Sequence, residues 1–413
     1  MREPSVLIVG GGAAGLSAAI ASARLGAAVT LLEAGPRVGQ KILASGNGRC
    51  NLTNLSVSPL SFNHPEFVEP VLGAYSSEVV RAFFGDIGLL TRADDEGRVY
   101  PVTNFAGSVV DALRLECAQL GVEVRYGFEV AGISADSRID RFVVTAADGE
   151  AVRSHAVVVT TGGGGSLLAD VGHGMVESVP VLGPIRTDTE PIRGLSGVRV
   201  RCAATLLAGG DDDNADGNVV VTERGELLFR DYGVSGIMIF DLSRYLTPRC
   251  VISIDFFPEI APEEFHAMIV ERRIAFEWRT ADTFFAGMLH DRVARAILRA
   301  AGVSSDTRVG DLPHARLTRL LKDFRLNVTG RGDANQSQVT RGGASVGEFD
   351  PNTMASHHMD GLFAAGEVLD IDGRSGGFNL HWAWASGIVA GEAAAQAAVK
   401  RVAQDDAPSR GSA

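Results

Sequence analysis

Three glycines that follow an apolar segment have the spacing that holds a phosphate chain. Residues 6–9 are apolar, and Gly10, Gly12 and Gly15 follow them in the pattern Gly-x-Gly-x-x-Gly. The first glycine allows a tight turn, the second lets the backbone approach a pyrophosphate, and the third lets a helix pack against the strand. The helix that opens at Ala13 and Ala14 presents free N–H groups to the phosphates. The pattern predicts a bound dinucleotide.

An acidic residue ends the next predicted strand. Residues 29–32 are apolar, and Glu33 and Ala34 follow them. A carboxylate about 20 residues beyond the glycines accepts hydrogen bonds from an unphosphorylated ribose. The order of strand, glycines, helix, strand and acid therefore predicts a ribose contact at Glu33.

Two further segments combine small residues with hydrogen-bonding side chains. Residues 37–54 form a loop that suits a ligand lying along it. The apolar residues 156–160 run into glycines, which is typical of a central strand of a parallel sheet. The residues expected to contact the ligand from these regions are Lys41, Ser45, Gly46, Asn47, Gly48, Arg49, Cys50, Val130, Thr161, Gly162 and Gly163.

A closing motif predicts that the dinucleotide is FAD. An apolar strand ends at Gly366 and Glu367, and Gly377, Asn379 and Leu380 follow before a long helix rich in alanine and glycine. In flavoproteins with two dinucleotide sites, a strand with such an end places its acid on the ribityl chain, and the next helix points at the flavin ring. Asn379 is a favoured N-cap type, and the positive helix end it opens would stabilise reduced flavin. These contacts predict that FAD is bound non-covalently.

Composition limits the class of protein and its partners. The 413 residues include 46% hydrophobic and 21% charged residues, which is typical of a globular chain of two or three domains. The net charge of -12 argues against nucleic acid or an acidic membrane as a partner, since both require a basic surface. Four scattered cysteines form no C-x-x-C pair, which predicts no metal site and a reducing cytoplasm. The uncharged residues 4–23 are interrupted by glycines, so we read neither a signal peptide nor a membrane span.

Patterns along the chain predict an α/β fold with insertions. A discontinuous Rossmann-like FAD-binding domain is expected over residues 1–186 and 333–400. Short alternating strands, broken by an acidic turn at residues 209–213, predict a β-barrel-like insert over residues 187–258. Apolar residues at helical spacing predict a helical insert over residues 259–332, and residues 401–413 read as a disordered tail.

Five ordered blocks carry a family resemblance. They are residues 41–54, 97–103, 225–236, 339–343, and 361–370 with 376–380. On these blocks the chain resembles the BaiN-type and aminoacetone oxidase-like family of NAD(P)/FAD-dependent oxidoreductases. The resemblance implies flavin-mediated hydride transfer to an activated C=C bond of a carbonyl compound, with a small-molecule substrate in a cavity over the flavin. An amine oxidase that passes hydride from an aminoacetone-like substrate to O2, and a flavin-dependent RNA-binding or sensory module without catalysis, stay open as alternatives.

The electron donor and the catalytic groups are less well defined by sequence. A second Gly-x-Gly-x-x-Gly unit is missing, so NAD(P)H is expected to bind only transiently against the flavin. His381 and Arg341 are candidates for a proton donor and a substrate-binding cation. A basic helical stripe is expected to be a solvated face, with capture of an NADPH phosphate or an RNA backbone as the functional alternative; it comprises Arg316, Arg319, Lys322 and Arg325. The oligomeric state is not indicated.

Overall fold

The chain divides into two compact units. The structure, a computed structural model, describes residues 3–136, 141–163, 166–209 and 217–405. Unit 1 comprises Met1–Val179 and Val339–Ala413, and unit 2 comprises Pro180–Gln338. Most of the predicted acidic turn, Gly164, Gly165 and residues 406–413 of the predicted tail lie outside the described residues.

Both units mix strands and helices. The strands are β1 Ser5–Val9, β2 Ala28–Glu33, β3 Thr53–Asn54, β4 Thr91–Ala93, β5 Arg98–Pro101, β6 Glu123–Tyr126, β7 Val130–Asp136, β8 Arg141–Ala146, β9 Ala151–Ser154, β10 Ala156–Val159, β11 Met175–Val181, β12 Ile185–Thr187, β13 Arg199–Ala208, β14 Asn218–Arg230, β15 Gly233–Ser235, β16 Cys250–Asp255, β17 Phe324–Arg331, β18 Val339–Ala344 and β19 Leu362–Ala364. The helices are α1 Ala13–Arg24, α2 Gln40–Ala44, α3 Pro65–Ala74, α4 Ser77–Asp86, α5 Ala106–Gln119, α6 Leu167–Asp170, α7 Ile237–Ser243, α8 Pro262–Ala275, α9 Ala281–Phe284, α10 Asp291–Ala301, α11 His314–Lys322 and α12 Phe378–Asp405.

Unit 1 is built on a five-stranded parallel sheet with the strand order β19-β10-β1-β2-β6. The four residues of β10 are all buried, because a central strand of a parallel sheet is covered on both faces. The carboxyl ends of parallel strands meet at one edge of the sheet. That edge holds Gly10 after β1, Glu33 at the end of β2, Thr160 after β10 and Gly366 soon after β19. The predicted α/β class is confirmed.

Helices α1 and α12 pack against each other through glycines. A Cβ on Gly387 would lie 2.4 Å from the Ala14 carbonyl oxygen, and a Cβ on Gly391 would lie 2.3 Å from the Ala18 carbonyl oxygen. The Ser22 hydroxyl donates to the Gly391 carbonyl at 2.8 Å. Only glycine permits so close an approach of two helix backbones. Helix α12 continues to Asp405, five residues into the predicted tail.

Unit 2 is a closed barrel with helices around it. The barrel order is β12-β15-β14-β13-β16-β17, and β17 closes it by pairing with β12. Helices α8 to α11 lie between β16 and β17 in the chain. Their apolar residues, among them Phe265, Ile297 and Leu321, share one core with barrel residues such as Ile252 and Leu326. Among the described residues no helix is long and apolar enough to cross a membrane.

The prediction of a basic stripe along one helix is wrong at the C-terminal end of that helix. Helix α11 ends at Lys322, and Arg325 lies in β17, where it pairs with Ser253. The spacing of Leu317, Leu321 and Phe324 continues a helical pattern, but Phe324 and Leu326 are buried on one side of a strand. Lys322 Nζ donates to two carbonyl groups at 2.8 Å and forms an ion pair with Asp255 at 2.7 Å. These residues therefore do not form a free basic face on one helix.

Candidate functional site

Two glycines of the first motif are required by the protein itself. Gly10 has φ +104°, and a Cβ there would lie 2.7 Å from the Thr160 carbonyl oxygen. A Cβ on Gly15 would lie 1.8 Å from the Gly10 carbonyl oxygen. The Thr160 hydroxyl also contacts the Gly10 carbonyl at 2.9 Å, so the turn is fixed between β1 and β10.

Gly12 is different, because no steric contact with the described residues requires its lack of a side chain. Its φ is -82°, which any residue adopts, and no described atom lies within 4 Å of the position of a Cβ. Gly12 precedes Ala13, where α1 begins and its first N–H groups lack intrahelical partners. Open space beside free N–H groups is what a pyrophosphate needs, so this turn fits a dinucleotide.

Glu33 is anchored at the edge of the sheet. Its Oε2 accepts a hydrogen bond from Gly11 N at 2.8 Å, and its Oε1 accepts one from Gly35 N at 2.7 Å. Each carboxylate oxygen has a second lone pair, so Glu33 keeps the capacity to accept from ribose hydroxyls. The neighbouring Ala34 is exposed.

The loop at residues 45–50 is held in left-handed conformations. Gly46, Asn47, Gly48 and Cys50 have φ between 56° and 80°. Such values are costly for Asn47 and Cys50, and strain of this kind clusters at binding sites. The loop is tied down by the Ser45 hydroxyl, which donates to the Ile42 carbonyl at 2.7 Å, and the Arg49 guanidinium lies over the Tyr100 ring.

Asn51, one residue beyond the predicted contacts of this loop, is a group that sequence reasoning missed. It is 8% exposed, and its Oδ1 is buried without a hydrogen-bond partner among the described residues. A Cβ on Gly377, which has φ +103°, would lie 2.7 Å from this oxygen. A buried amide oxygen without a partner costs about 1–3 kcal/mol. A ligand with polar edges at this point would remove that cost, so Asn51 also fits a flavin.

The closing motif lies next to the first glycine motif. Gly366 has φ +77°, and a Cβ there would lie 2.8 Å from the Ala14 Cβ. Glu367 accepts from Lys41 Nζ at 2.9 Å and from Thr340 N at 2.7 Å. The structure thus brings together predicted site residues that are more than 300 positions apart.

The remaining predicted contacts lie in three other segments of unit 1. Thr161 is exposed, Gly162 has φ +79° with its Cβ position 3.2 Å from Lys41 Nζ, and a Cβ on Gly163 would lie 2.5 Å from the Thr340 Cβ. Val130 opens β7, next to a cavity of about 570 Å³ lined by residues 125–129 and the turn between β8 and β9. Leu380 is half-buried in the first turn of α12.

Asn379 does not cap α12, so that expectation is wrong. The helix begins at Phe378, which places Asn379 inside its first turn. The Asn379 amide accepts from Gly373 N at 2.7 Å and donates to the Gly373 and Arg374 carbonyls. Its side chain therefore closes the loop before the helix.

The two predicted catalytic candidates are occupied by protein partners. His381 is fully buried, and its Nε2 lies 2.9 Å from the Tyr75 carbonyl, which only accepts. Its Nδ1 lies 2.8 Å from the Thr53 hydroxyl. Burial lowers the pKa of His381 to about 4, so the ring is neutral at pH 7 with the proton on Nε2. Arg341 Nε donates to the fully buried Asp372 at 2.8 Å.

A second pair that sequence reasoning missed is His64 with Asp370. His64 Nε2 lies 3.0 Å from Asp370 Oδ2. Burial would raise the pKa of Asp370, but the hydrogen bond from His64 and the nearby Arg341 charge outweigh it and hold the pKa below its usual range. These two residues are 306 positions apart, so no local pattern reveals the pair.

A histidine cluster on the same unit has a defined protonation pattern. His173 Nδ1 lies 2.8 Å from Glu348 Oε2, and its Nε2 lies 2.9 Å from the Ser356 hydroxyl. Ser356 Oγ already accepts from the backbone N–H groups of His358 and Met359, so its own hydrogen points at His173 Nε2. The proton of His173 therefore sits on Nδ1, toward Glu348. His358 lies 3.3 Å from the same carboxylate, and the three side chains have the proximity of metal ligands, but a proton on Nδ1 opposes metal binding there.

Comparison with known proteins finds relatives that match more than nine-tenths of the chain. The family model of the HI0933-like protein Rossmann domain matches residues 4–393. The 3-dehydro-bile acid delta(4,6)-reductase of Clostridium scindens is 31% identical over 413 residues, which cover 94% of this chain and 98% of that protein. The ribosomal RNA dihydrouridine synthase of Haemophilus influenzae is 27% identical over 401 residues, covering 92% and 96%. The Escherichia coli protein of the same name is 27% identical over 405 residues, covering 94% and 96%.

Proposed function

The chain belongs to the HI0933-like Rossmann-domain family and is a flavin-dependent oxidoreductase, and from this premise we propose that it reduces a C=C bond conjugated to a carbonyl group. The names of its relatives describe two such reactions. A bile acid with a 3-oxo group and delta-4,6 double bonds is a conjugated dienone, and the C5=C6 bond of uridine is conjugated to C4=O. The shared chemistry is saturation of an electron-poor double bond.

The observation that carries the proposal is the open position beside Gly12 at the start of α1, where a ligand has room because no described protein atom lies within 4 Å of a Cβ. Bound FAD would supply the hydride that such a reduction requires. Gly12 and the start of α1 would hold its pyrophosphate, and Glu33 the ribose. Glu367, in the cluster with Lys41 and Thr340, would hold the ribityl chain.

The flavin ring would lie between Asn51 and the start of α12. The amide of Asn51 offers a donor and an acceptor to the pyrimidine edge of the ring, which carries both kinds of group. The first N–H groups of α12 favour negative charge on that edge. Cys50 is buried and burial raises the pKa of its thiol to about 12, so it is a poor nucleophile for covalent attachment.

A transient NAD(P)H donor and a reducing cytoplasmic location complete the proposal. The sequence holds one dinucleotide motif, which the proposed FAD occupies. All four cysteines are free and buried, as suits a reducing compartment.

The test is an anaerobic comparison of electron acceptors. The purified protein should contain FAD that acid releases. After reduction by NADPH or dithionite, the flavin should be reoxidised by 2-cyclohexen-1-one or by a 3-oxo-4,6-diene steroid, with formation of the saturated product. Reoxidation by O2 after reduction with aminoacetone, together with no reaction with either enone, would contradict the proposal and favour an amine oxidase.

A second candidate substrate is uridine in ribosomal RNA, because two relatives at 27% identity carry that activity in their names. The net charge of -12 opposes tight binding of RNA by charge alone. The discriminating measurement is a mass increase of 2 Da in a uridine of an unmodified ribosomal RNA transcript after incubation with protein and NADPH. Saturation of that uridine at a higher rate than of either enone would make RNA the substrate.

A further inference from the structure

His64 and Asp370 have the arrangement of a proton donor and its orienting carboxylate. The His64 side chain is 40% exposed, whereas that of Asp370 is 10% exposed. Asp370 Oδ1 accepts from Gly342 N at 3.0 Å and from the Asn63 amide at 3.3 Å, which leaves Oδ2 for His64. An ionised carboxylate only accepts, so His64 Nε2 carries the hydrogen of this bond.

The other ring nitrogen of His64 is open. Nδ1 has no hydrogen-bond partner among the described residues, and the ring is partly exposed. A histidine fixed at one nitrogen by a carboxylate, with the other nitrogen open, is the arrangement that general acid and base catalysis uses. His381, in contrast, has both nitrogens bonded to protein.

The pair is attached to the segment that joins the two parts of the proposed flavin site. Asp370 lies three residues after Glu367, and the segment continues to Gly373, which Asn379 binds from the first turn of α12. Asn63, next to His64, exchanges hydrogen bonds with Asp372: its N–H donates to the Asp372 carbonyl at 3.1 Å, and its Oδ1 accepts from Asp372 N at 2.9 Å. His64 is thereby held against the segment between Glu367 and α12.

We propose that His64 is the proton donor of the reaction, oriented by Asp370; this rests on the proposed function. Reduction of a conjugated C=C bond needs a hydride at the β-carbon and a proton at the α-carbon. The hydride brings two electrons from reduced flavin, and the N–H bond at Nδ1 of protonated His64 breaks as the C–H bond at the α-carbon forms. His64 is left neutral and regains its proton from solvent through its exposed side.

Among the described residues, other ionisable groups lie on the elements that hold the pair. Arg341 contributes positive charge near Asp370 and is itself bound to Asp372. Glu66 lies in the first turn of α3, on the element that begins beside His64. Carboxylates and guanidinium groups keep their charge between about pH 6 and 9, so these neighbours do not themselves cause a rate change in that range.

The test compares His64→Gln with His358→Gln. His358 is matched because its side chain is 43% exposed and its Nε2 also contacts a carboxylate, that of Glu348, at 3.3 Å. In anaerobic single turnovers of the reduced holoenzyme with 2-cyclohexen-1-one, His64→Gln should slow flavin reoxidation by about 100-fold or more and remove the fall in rate at high pH. Asp370→Asn should also slow reoxidation, but by less than His64→Gln, because the ring keeps its proton-donating nitrogen and loses only the acceptor that orients it. FAD content should be unchanged in His64→Gln, and His358→Gln should behave as wild type.

A measurement without turnover completes the test. Diethyl pyrocarbonate should modify both His64 and His358 in the oxidised holoenzyme, and 2-cyclohexen-1-one should protect His64 alone, as read by peptide mass spectrometry. If His64→Gln keeps the wild-type rate and pH profile, or if the enone gives no protection, the assignment of His64 is overturned while enone reduction stands. If wild-type protein with bound FAD reduces neither enone, the proposed function itself fails, and with it the role of His64.

Discussion

At the scale of single residues, the three glycines of the first motif differ in whether the protein's own atoms leave room for a side chain. Gly10 and Gly15 are glycines because the protein's own atoms leave no room for a side chain. Gly12 has room for a side chain and an ordinary backbone conformation, so the space beside it is open to the proposed ligand. Folding and cofactor binding are therefore separable by substitution within six residues.

Gly12→Val should give a folded protein without flavin. The valine side chain would occupy the space assigned to the pyrophosphate, but its Cβ meets no described atom within 4 Å, so the fold should tolerate it at the cost of a poorer N-cap for α1, about 1 kcal/mol. Absorbance at 450 nm and the thermal midpoint of the apoprotein measure the two effects. Gly15→Val is the control, because its Cβ would lie 1.8 Å from the Gly10 carbonyl oxygen and the fold itself should fail. Stoichiometric FAD in Gly12→Val would refute the assignment.

His381 should contribute to the acid sensitivity of the fold rather than to catalysis. Burial lowers its pKa from 6.5 to about 4, so the unfolded chain binds the extra proton first as the pH falls. This stabilisation is present above about pH 6.5 and is lost as the pH falls toward 4, by about 3 kcal/mol in total. His381→Gln should flatten the decline of unfolding free energy between pH 6.5 and 4, measured by urea denaturation. His357→Gln, at an exposed position, should leave the slope unchanged.

Some site residues could be predicted from a pattern of neighbouring residues in the sequence, and others could not. Glu33 follows the glycines at a fixed distance along the chain, and the structure places it at the same sheet edge. Asn51 is notable only because its amide is buried without a partner, and His64 only because the fold brings it to Asp370. His381 looked reactive by residue type, but Thr53 and Tyr75 occupy its nitrogens. For His64 and His381, the role of the side chain depends on partners that are distant in sequence.

At the scale of elements, the contact between α1 and α12 links the two ends of the proposed cofactor site. Helix α1 begins at the glycine turn, and α12 begins beside Asn51 and Gly377. Gly387 and Gly391 let the two helix backbones approach closely, and Ser22 bonds across the contact. The spacing of these helices therefore sets the distance between the pyrophosphate and ring ends of the site.

Gly391→Ala should destabilise the protein although alanine is the better helix former. The added methyl group would lie 2.3 Å from the Ala18 carbonyl oxygen, and overpacking of this kind costs about 1–3 kcal/mol. The thermal midpoint of the apoprotein measures the effect. Gly73→Ala is the matched control in α3, where no described atom lies within 4 Å of the new methyl group, and there the midpoint should hold or rise. Equal responses of the two variants would contradict the packing argument.

Element prediction succeeded where periodicity was unambiguous. The apolar run at residues 156–160 corresponds to β10, whose four residues are all buried in the centre of the parallel sheet. The pattern failed at β17, because Phe324 continues the helical spacing of Leu317 and Leu321 although the chain has already turned into a strand, where Phe324 and Leu326 are buried on one side. A short alternation of apolar residues after a helix is compatible with both the helical and the strand period. Only the pairing with β12 and β16 shows that this segment is a strand.

At the scale of the whole molecule, the residues proposed to hold FAD all belong to unit 1. The glycine turn, Glu33, the loop at residues 45–51 and the closing motif lie within Met1–Val179 and Val339–Ala413. The sheet and helices of unit 1 have their own apolar core, and the barrel and helices of unit 2 have another. Cofactor binding is thus assigned to one unit with a complete core.

Removal of unit 2 should therefore leave a protein that binds FAD. Gln338 N donates to the Leu182 carbonyl at 3.2 Å, so the two ends of the segment at residues 183–337 are adjacent, and a short Gly-Ser linker can replace it without strain. The deletion protein should be yellow, with FAD released by acid, and circular dichroism should show the remaining helices. The same deletion with Gly12→Val should be colourless, which separates specific binding from adsorbed flavin. A folded deletion protein without FAD would show that unit 2 supplies contacts essential to the cofactor, and the assignment of the site to unit 1 would then be wrong.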